Sequence, residues 1–285
     1  MSNISLLLNK LKLSLQKRTG VTQNNKSREA WLAKGYNNEP LVTVILQSHN
    51  KSLQVSHIVA KLRKHPATEI IVIDDGSTPE HNQTLAKLLT GANEFLLRCN
   101  DLYENITYDR TLRMANGRYI ALLQDDDDFE STDWIDEAVR YFEQYPRLGI
   151  LGGSGALNIA FEAPRAFGKA IEPTRPFDFA MAVNRAPMWI NKELYMQELK
   201  HIDYLFAPFQ YDDYELCARA WMCGLQVGWY DARFKSLSAG GMRLWNRHFT
   251  QQQCAVNGPR LYNLYIGHKE EIEARVKEAR GTIGN

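Results

Sequence analysis

A chain of 285 residues with 44% hydrophobic content holds enough apolar matter for one large α/β domain or two small ones, folding without metal or disulfide staples. Its 34 Lys and Arg against 33 Asp and Glu leave a net charge of +1, which argues against nucleic acid as a partner and confines any recognition of charge to local groups. Cys99, Cys217, Cys223 and Cys254 form no CxxC pair, which argues against a structural zinc site or a disulfide framework and points to a reducing compartment.

Near the N-terminus, Ile4, Leu7, Leu8, Leu11 and Leu15 recur at helical spacing among Lys10, Lys12, Lys17 and Arg18. That spacing predicts a short basic amphipathic helix. Such a helix packs on the domain, pairs with a second copy, or lies on a membrane where its lysines meet anionic headgroups. Thr19 to Asn38 reads as a polar linker. No run approaches the roughly 20 apolar residues of a bilayer span, and no signal peptide is legible. The expected location is cytoplasmic, with peripheral contact at the inner face of the membrane through residues 4–18.

The first buried strand is Leu41-Val42-Thr43-Val44-Ile45-Leu46, ending in Gln47-Ser48-His49-Asn50. A helix from Leu53 to Lys64 leads to a second apolar run, Glu69-Ile70-Ile71-Val72-Ile73, which stops at Asp74-Asp75-Gly76-Ser77-Thr78-Pro79. Strand, helix and strand make a parallel βαβ unit. The pattern repeats with a helix near Asn82 to Thr90, a strand near Glu94 to Arg98, a helix from Tyr108 to Ala115 and a strand from Arg118 to Leu123. Open α/β sheets bind ligands beyond the carboxyl ends of their strands, and here those ends carry Gln47 to Asn50, Asp74 to Ser77 and Asp125 to Asp128.

Asp125-Asp126-Asp127-Asp128 follows an apolar strand, so mutually repelling carboxylates are held at the mouth of the sheet. A hard divalent cation, Mn²⁺ or Mg²⁺, relieves that repulsion and commonly brings a diphosphate with it. The alternative is a solvated acidic loop capping the next helix, near Ser131, Thr132 and Asp133. A second cluster, Asp212-Asp213-Tyr214-Glu215, stands just before a helix read from Leu216 to Cys223. Capping of that helix explains Asp212 or Asp213, or a carboxylate facing a bound sugar serves instead as general base for its hydroxyl; the composition of the cluster does not choose between these.

Taken together, these residues resemble the family-2 glycosyltransferases, nucleotide-sugar-dependent enzymes of the GT-A fold, a Rossmann-like, mostly parallel sheet flanked by helices. The resemblance runs from Leu41 to Asp231 on Val42 to Asn50, Ile71 to Ser77, Gly117 to Asp126 and Asp212 to Arg219. It implies that Gln47, Ser48, His49 and Asp75 line the base pocket, commonly for uracil. It further implies that Asp74 supports them, that Asp125 lies near the ribose and Asp126 on the metal, with Asp127 and Asp128 as register alternatives, and that Asp213 is the catalytic base. The reaction implied is a single displacement with inversion, and the acceptor a glycan or lipid-linked hydroxyl.

Some positions depart from the family pattern. Gln124 stands where many members carry the first Asp of the DxD motif, Gln47 and His49 replace commoner residues of the first loop, and Asp109 stands where Asn is usual. A third metal ligand has His248 as its nearest candidate. Trp189 is either an acceptor floor or core. Ser238 to His248, with Arg243 and Arg247, reads as a loop closing over a diphosphate or as an ordinary surface loop. The C-terminal Lys269 to Arg280 reads as a solvated helix. The expected layout is a helix and linker at 1–38, a GT-A domain at 39–250 with a nucleotide half at 39–130 and an acceptor half at 131–250, and a helical tail at 251–285. Two other functions compete: a nucleotide- or glycan-binding protein without turnover, and a sugar-phosphate nucleotidyltransferase, which wants a Gly-rich loop where Gln47 to Lys51 has no Gly.

Overall fold

Apolar side chains line both faces of four successive strands, and such strands are stable only when helices cover them on both sides. The computed structural model describes residues 3–66, 68–185, 187–236 and 246–283. The four strands are β1 (Val42–Ser48), β2 (Thr68–Asp75), β3 (Glu94–Cys99) and β4 (Tyr119–Gln124), all parallel in the order β3-β2-β1-β4. The crossovers are α2 (Ser52–Leu62), α3 (Pro79–Leu88) and α4 (Tyr103–Met114). Register sets Ser48 opposite Asp74, Asp75 opposite Cys99 and Gln47 opposite Gln124, so the three polar strand ends lie at one edge.

Beyond β4 the sheet becomes mixed. Strands β6 (Leu148–Gly152), β9 (Phe177–Phe179), β11 (Met188–Asn191) and β12 (Gln226–Tyr230) extend it in the order β4-β11-β6-β12-β9. β11 runs antiparallel to both neighbours, while β12 runs parallel to β6. A side sheet joins β7 (Ala156–Glu162), β8 (Arg165–Ile171) and β10 (Ala182–Val183), and a short ladder pairs β5 (Asp127–Asp128) with β13 (Lys235–Ser236). The longer helices that follow β4 among the described residues are α5 (Asp133–Gln144), α6 (Asp212–Met222), α7 (Arg247–Tyr265) and α8 (Lys269–Gly281).

The entry to β4 shows why the sequence folds this way. A Cβ on Gly117 would stand 2.4 Å from the Thr43 nitrogen, so only glycine lets the chain pass this close to β1. Buried Glu69 fixes the same corner, accepting from the Thr43 hydroxyl at 2.7 Å and the Asn116 amide at 2.8 Å.

Residues 1–38 with 90–93 form one unit and residues 39–89 with 94–285 a second. In the first, α1 (Asn3–Leu32) is longer than expected: the residues read as a linker continue the helix to Leu32. No Pro occurs before Pro40, and the helix stops only ahead of Gly35, whose φ of 80° no other residue adopts at low cost. The apolar stripe is confined to its first half, where Ile4, Leu7, Leu8, Leu11 and Leu15 are all exposed. In the second unit α4 starts at Tyr103, ahead of the expected Tyr108, and α6 starts at Asp212, so both acids lie within its first turn. α8 is not simply solvated: Ile272, Val276 and Ala279 are buried on one face.

Candidate functional site

Strand ends β1, β2 and β4 are bonded to one another through their carboxylates. Asp125 accepts from the His49 backbone N–H at 2.9 Å and from Lys51 Nζ at 2.8 Å. Asp75 accepts from Gln47 Nε2 at 3.2 Å, from the Leu102 amide at 2.9 Å and from the Tyr103 amide at 2.8 Å. Two amides at the head of α4 therefore hold Asp75, the favoured place for an anion on a helix. His49 Nδ1 lies 2.7 Å from the Asp75 carbonyl, and its ring is exposed beside Asn50. The Ser48 hydroxyl is buried without a partner among the described residues. Asp74 accepts from Asn82 Nδ2 at 2.6 Å, a supporting contact behind Asp75.

The four consecutive aspartates meet four different surroundings. Burial pushes Asp125 upward, with Lys51 and the His49 amide working against it. Asp126 accepts from the Ser236 hydroxyl at 3.0 Å across the β5–β13 ladder. Asp127 turns inward to the Gln124 amide at 2.8 Å, and burial, reinforced by the charges of Asp126 and Asp125, holds it well above the ordinary carboxylate range. Asp128 turns away to Lys61 at 2.5 Å and His57 at 3.2 Å; burial, the largest single influence, opposes its ionisation, but the hydrogen bonds from Lys61 and the Phe129 backbone with the charges of Lys61 and His57 together lower the pKa. Asp126 thus faces hydroxyl and carboxylate oxygens, the hard donors that suit Mn²⁺ or Mg²⁺. No group of three or more His, Cys, Asp or Glu among the described residues makes a complete ligand set. A carboxylate with hard-oxygen neighbours fits an ion that takes its other ligands from substrate phosphates.

The second cluster is arranged around one cation. Arg185 has only 8% of its side chain exposed and pairs with Asp212 through Nη2 and with Glu104 through Nη1, the latter at 2.9 Å. Its Nε is buried with no partner among the described residues, which costs roughly 1–3 kcal/mol for such a group. Glu104 in turn accepts from Gln124 Nε2 at 2.5 Å. Among the described residues Asp213 accepts only from the Tyr214 amide next to it, at 2.9 Å. Burial, followed by the charge of Asp212, raises Asp213 from the ordinary 3.8 to about 7, with Arg185 holding it down. Glu215 is structural: it chelates Arg219 at 2.8 Å and 2.9 Å and accepts from Tyr265 Oη at 2.9 Å.

Several other expectations find their places. Trp189 is core, fully buried with Nε1 on Tyr230 Oη at 3.0 Å. Asp109 serves the scaffold, accepting from Tyr195 and Tyr204 hydroxyls at 2.6 Å each. His248 is exposed in the first turn of α7, 3.0 Å from Gln252. Arg247 opens that helix, whereas Arg243 and residues 237–245 lie outside the described residues. Sequence reasoning missed Lys51, Glu104, Arg185 and Ser236. Lys51 had a signal, adjacency to the first strand end; the other three are single residues without pattern.

Residues 36–170 match the family model described as glycosyl transferase family 2. Among solved structures, a mannosyltransferase from Pyrobaculum calidifontis in complex with GDP-Man and Mn²⁺ is similar at 14% identity and TM-score 0.54, over 85% of this chain and 71% of that one. GalNAc-T7 with UDP, GalNAc and Mn²⁺ is similar at 16% identity and TM-score 0.55, over 69% of this chain and 43% of that one. S. aureus TarS in complex with UDP-GlcNAc is similar at 13% identity and TM-score 0.52, over 72% and 60%. This chain thus spans less than two thirds of the length of the last two. No curated protein matches the sequence. The expected fold, an α/β domain of the GT-A type, is borne out.

Proposed function

The chain carries a glycosyl transferase family 2 domain at residues 36–170, and on that premise we propose that it is an inverting enzyme that takes its sugar from a UDP-sugar and places it on a hydroxyl of a glycan or lipid-linked acceptor. The observation that carries the reading is the place of Asp213, in the first turn of α6 and one residue from an acid tied through Arg185 and Glu104 to the donor loop, where burial and the charge of Asp212 raise its pKa to about 7. A group that ionises near neutrality both accepts a proton readily and is free to do so at working pH.

Gln47, Ser48, His49 and Asp75 line the base, and Asp75 is ready for it because two backbone amides fix its carboxylate in advance. Asp125, oriented by Lys51 and the His49 amide, faces the ribose. Asp126 holds a divalent cation, Mn²⁺ or Mg²⁺, which when bound supplies charge stabilisation for the diphosphate leaving group. Asp213 takes the proton of the acceptor hydroxyl as that oxygen bonds to the anomeric carbon. The bond from that carbon to the diphosphate oxygen breaks on the opposite face, so configuration inverts and no covalent enzyme intermediate forms.

Residues 4–18 supply a peripheral contact with an anionic membrane. Lys10, Lys12, Lys17 and Arg18 stand among exposed leucines, and no acidic residue precedes Glu29. No described helix is long and apolar enough to cross a bilayer. Flotation with anionic but not neutral vesicles is the expected result for the full chain.

Binding and hydrolysis of UDP- and GDP-sugars with and without Mn²⁺ test the assignment. Metal-dependent binding lost in Asp126→Ala, with binding kept and turnover lost in Asp213→Asn, is expected. A protein that binds nucleotide sugars but gives the same negligible hydrolysis in wild type and Asp213→Asn is a binding module.

A further inference from the structure

Gln124, at the end of β4, departs from the acid common in the family, and the structure shows what it does. Its amide Nε2 donates to Glu104 Oε1 at 2.5 Å, where a carboxylate would meet another carboxylate. Glu104 then receives Arg185 through its second oxygen at 2.9 Å, and Arg185 reaches Asp212 with its other Nη. The guanidinium also lies 5.1 Å from the centre of the Tyr108 ring, and Tyr108 Oη donates to the Leu123 carbonyl at 2.7 Å. Arg185 is therefore joined to β4 by two routes, through Glu104 and through Tyr108, and to α6 by a third.

We propose that Arg185 is a positioning residue which couples the donor loop to the base helix, holding Asp212 against Glu104 and Gln124 so that Asp213 stands in fixed geometry beside a compensated charge. This rests on the reading of Asp213 as the base. Two observations argue for positioning rather than substrate binding. Each Nη already donates to a protein carboxylate and the unpartnered Nε is buried, so the charge of the guanidinium is taken up by acids of the protein rather than held open for a ligand. The guanidinium fork, unlike an ammonium, can engage two carboxylates on different elements at once.

The groups facing Asp213 are Asp212, Arg185 and Glu104, with Tyr211 and Cys217 from its own helix and cap. Of these only Arg185 carries positive charge, so its removal must disfavour the Asp213 carboxylate, whereas neutralising Asp212 must favour it.

The test is the pH dependence of donor-sugar turnover between pH 5 and 9 in Arg185→Met, Arg185→Lys, Asp212→Asn and the double variant Arg185→Met/Asp212→Asn, with Asp213→Asn alongside. Arg185→Met should move the midpoint of the acid limb upward by about one pH unit or more. Asp212→Asn should move it downward, the double variant should lie between the two, and Arg185→Lys should keep the midpoint near wild type while losing rate. A rate loss at every pH with the midpoint unmoved in both Arg185→Met and Asp212→Asn would overturn the proposal while leaving Asp213 as the base. Wild-type turnover in Asp213→Asn would overturn the base assignment and this inference with it. If Arg185→Met does not fold, Arg185→Lys decides: a lower rate with the midpoint near wild type supports the positioning role, and a wild-type rate overturns it.

Discussion

The acidic loop at residues 125–128 and the acidic turn at residues 212–215 look alike as sequence, yet the fold treats them in opposite ways. In the loop, Asp125, Asp126 and Asp128 each meet a side-chain donor from a different element, Lys51, Ser236 and Lys61. Asp127 is turned inward and pushed toward the neutral form by burial. In the turn, one buried arginine neutralises Asp212, and Asp213 keeps a high pKa. The difference teaches that a run of acids is sorted by where the chain turns: the turn at Asp125–Asp126 and the short β5–β13 ladder send four neighbours to different partners, whereas helix α6 leaves two neighbours beside one cation. The first arrangement suits holding a charge on a ligand; the second suits exchanging a proton.

The sharpest way to break this contrast is to neutralise one acid in each cluster. Asp213→Asn should lower turnover by on the order of 10²–10⁴, the usual worth of a general base, with donor binding unchanged. Asp126→Ala should cost about 10² in turnover through lost metal-dependent donor binding, measured as the Mn²⁺ dependence of nucleotide-sugar affinity. If the two variants gave the same pattern of binding and rate, the clusters would not have separate tasks.

Stability sharpens the contrast without any substrate. Asp213 has a higher pKa folded than the 3.8 of an ordinary aspartate, so between about 4 and about 7 the folded protein retains a proton the unfolded chain has lost. Stability falls as pH rises through that window. Asp213→Asn should therefore melt above wild type at pH 8, by at least the roughly 2–4 °C that 1 kcal/mol represents in a domain of this size. The gap should close toward pH 4. The smallest effect expected is that of Lys51→Met. Removing the cation beside Asp125 should weaken donor binding by about tenfold or less, since the His49 amide still holds the carboxylate.

Much of the donor edge was legible in the sequence because it depends on local pattern. Apolar runs that end abruptly in Gln47 to Asn50, Asp74 to Ser77 and Asp125 to Asp128 report strand ends directly, and the parallel register brings them to one edge. Asp213 was singled out by motif alone, and it lies in the first turn of α6. Arg185 was not, because a lone arginine before a short strand carries no periodicity and its partners lie 81 and 27 residues away in sequence. Gln124 read only as a departure from the family pattern, because its partner Glu104 lies 20 residues away in sequence with no motif to mark it. The length of α1 was missed because polar residues such as Gln23 to Lys26 read as linker, although nothing in them stops a helix before Gly35.

The central claim is that Asp213 is a base that ionises near neutrality next to the donor loop. Measuring donor-sugar turnover against pH in wild type and Asp213→Asn tests it most directly. The account predicts a wild-type rate that rises to a plateau with a midpoint near pH 7, absent in the variant while nucleotide-sugar binding persists. An unchanged profile in Asp213→Asn would contradict it.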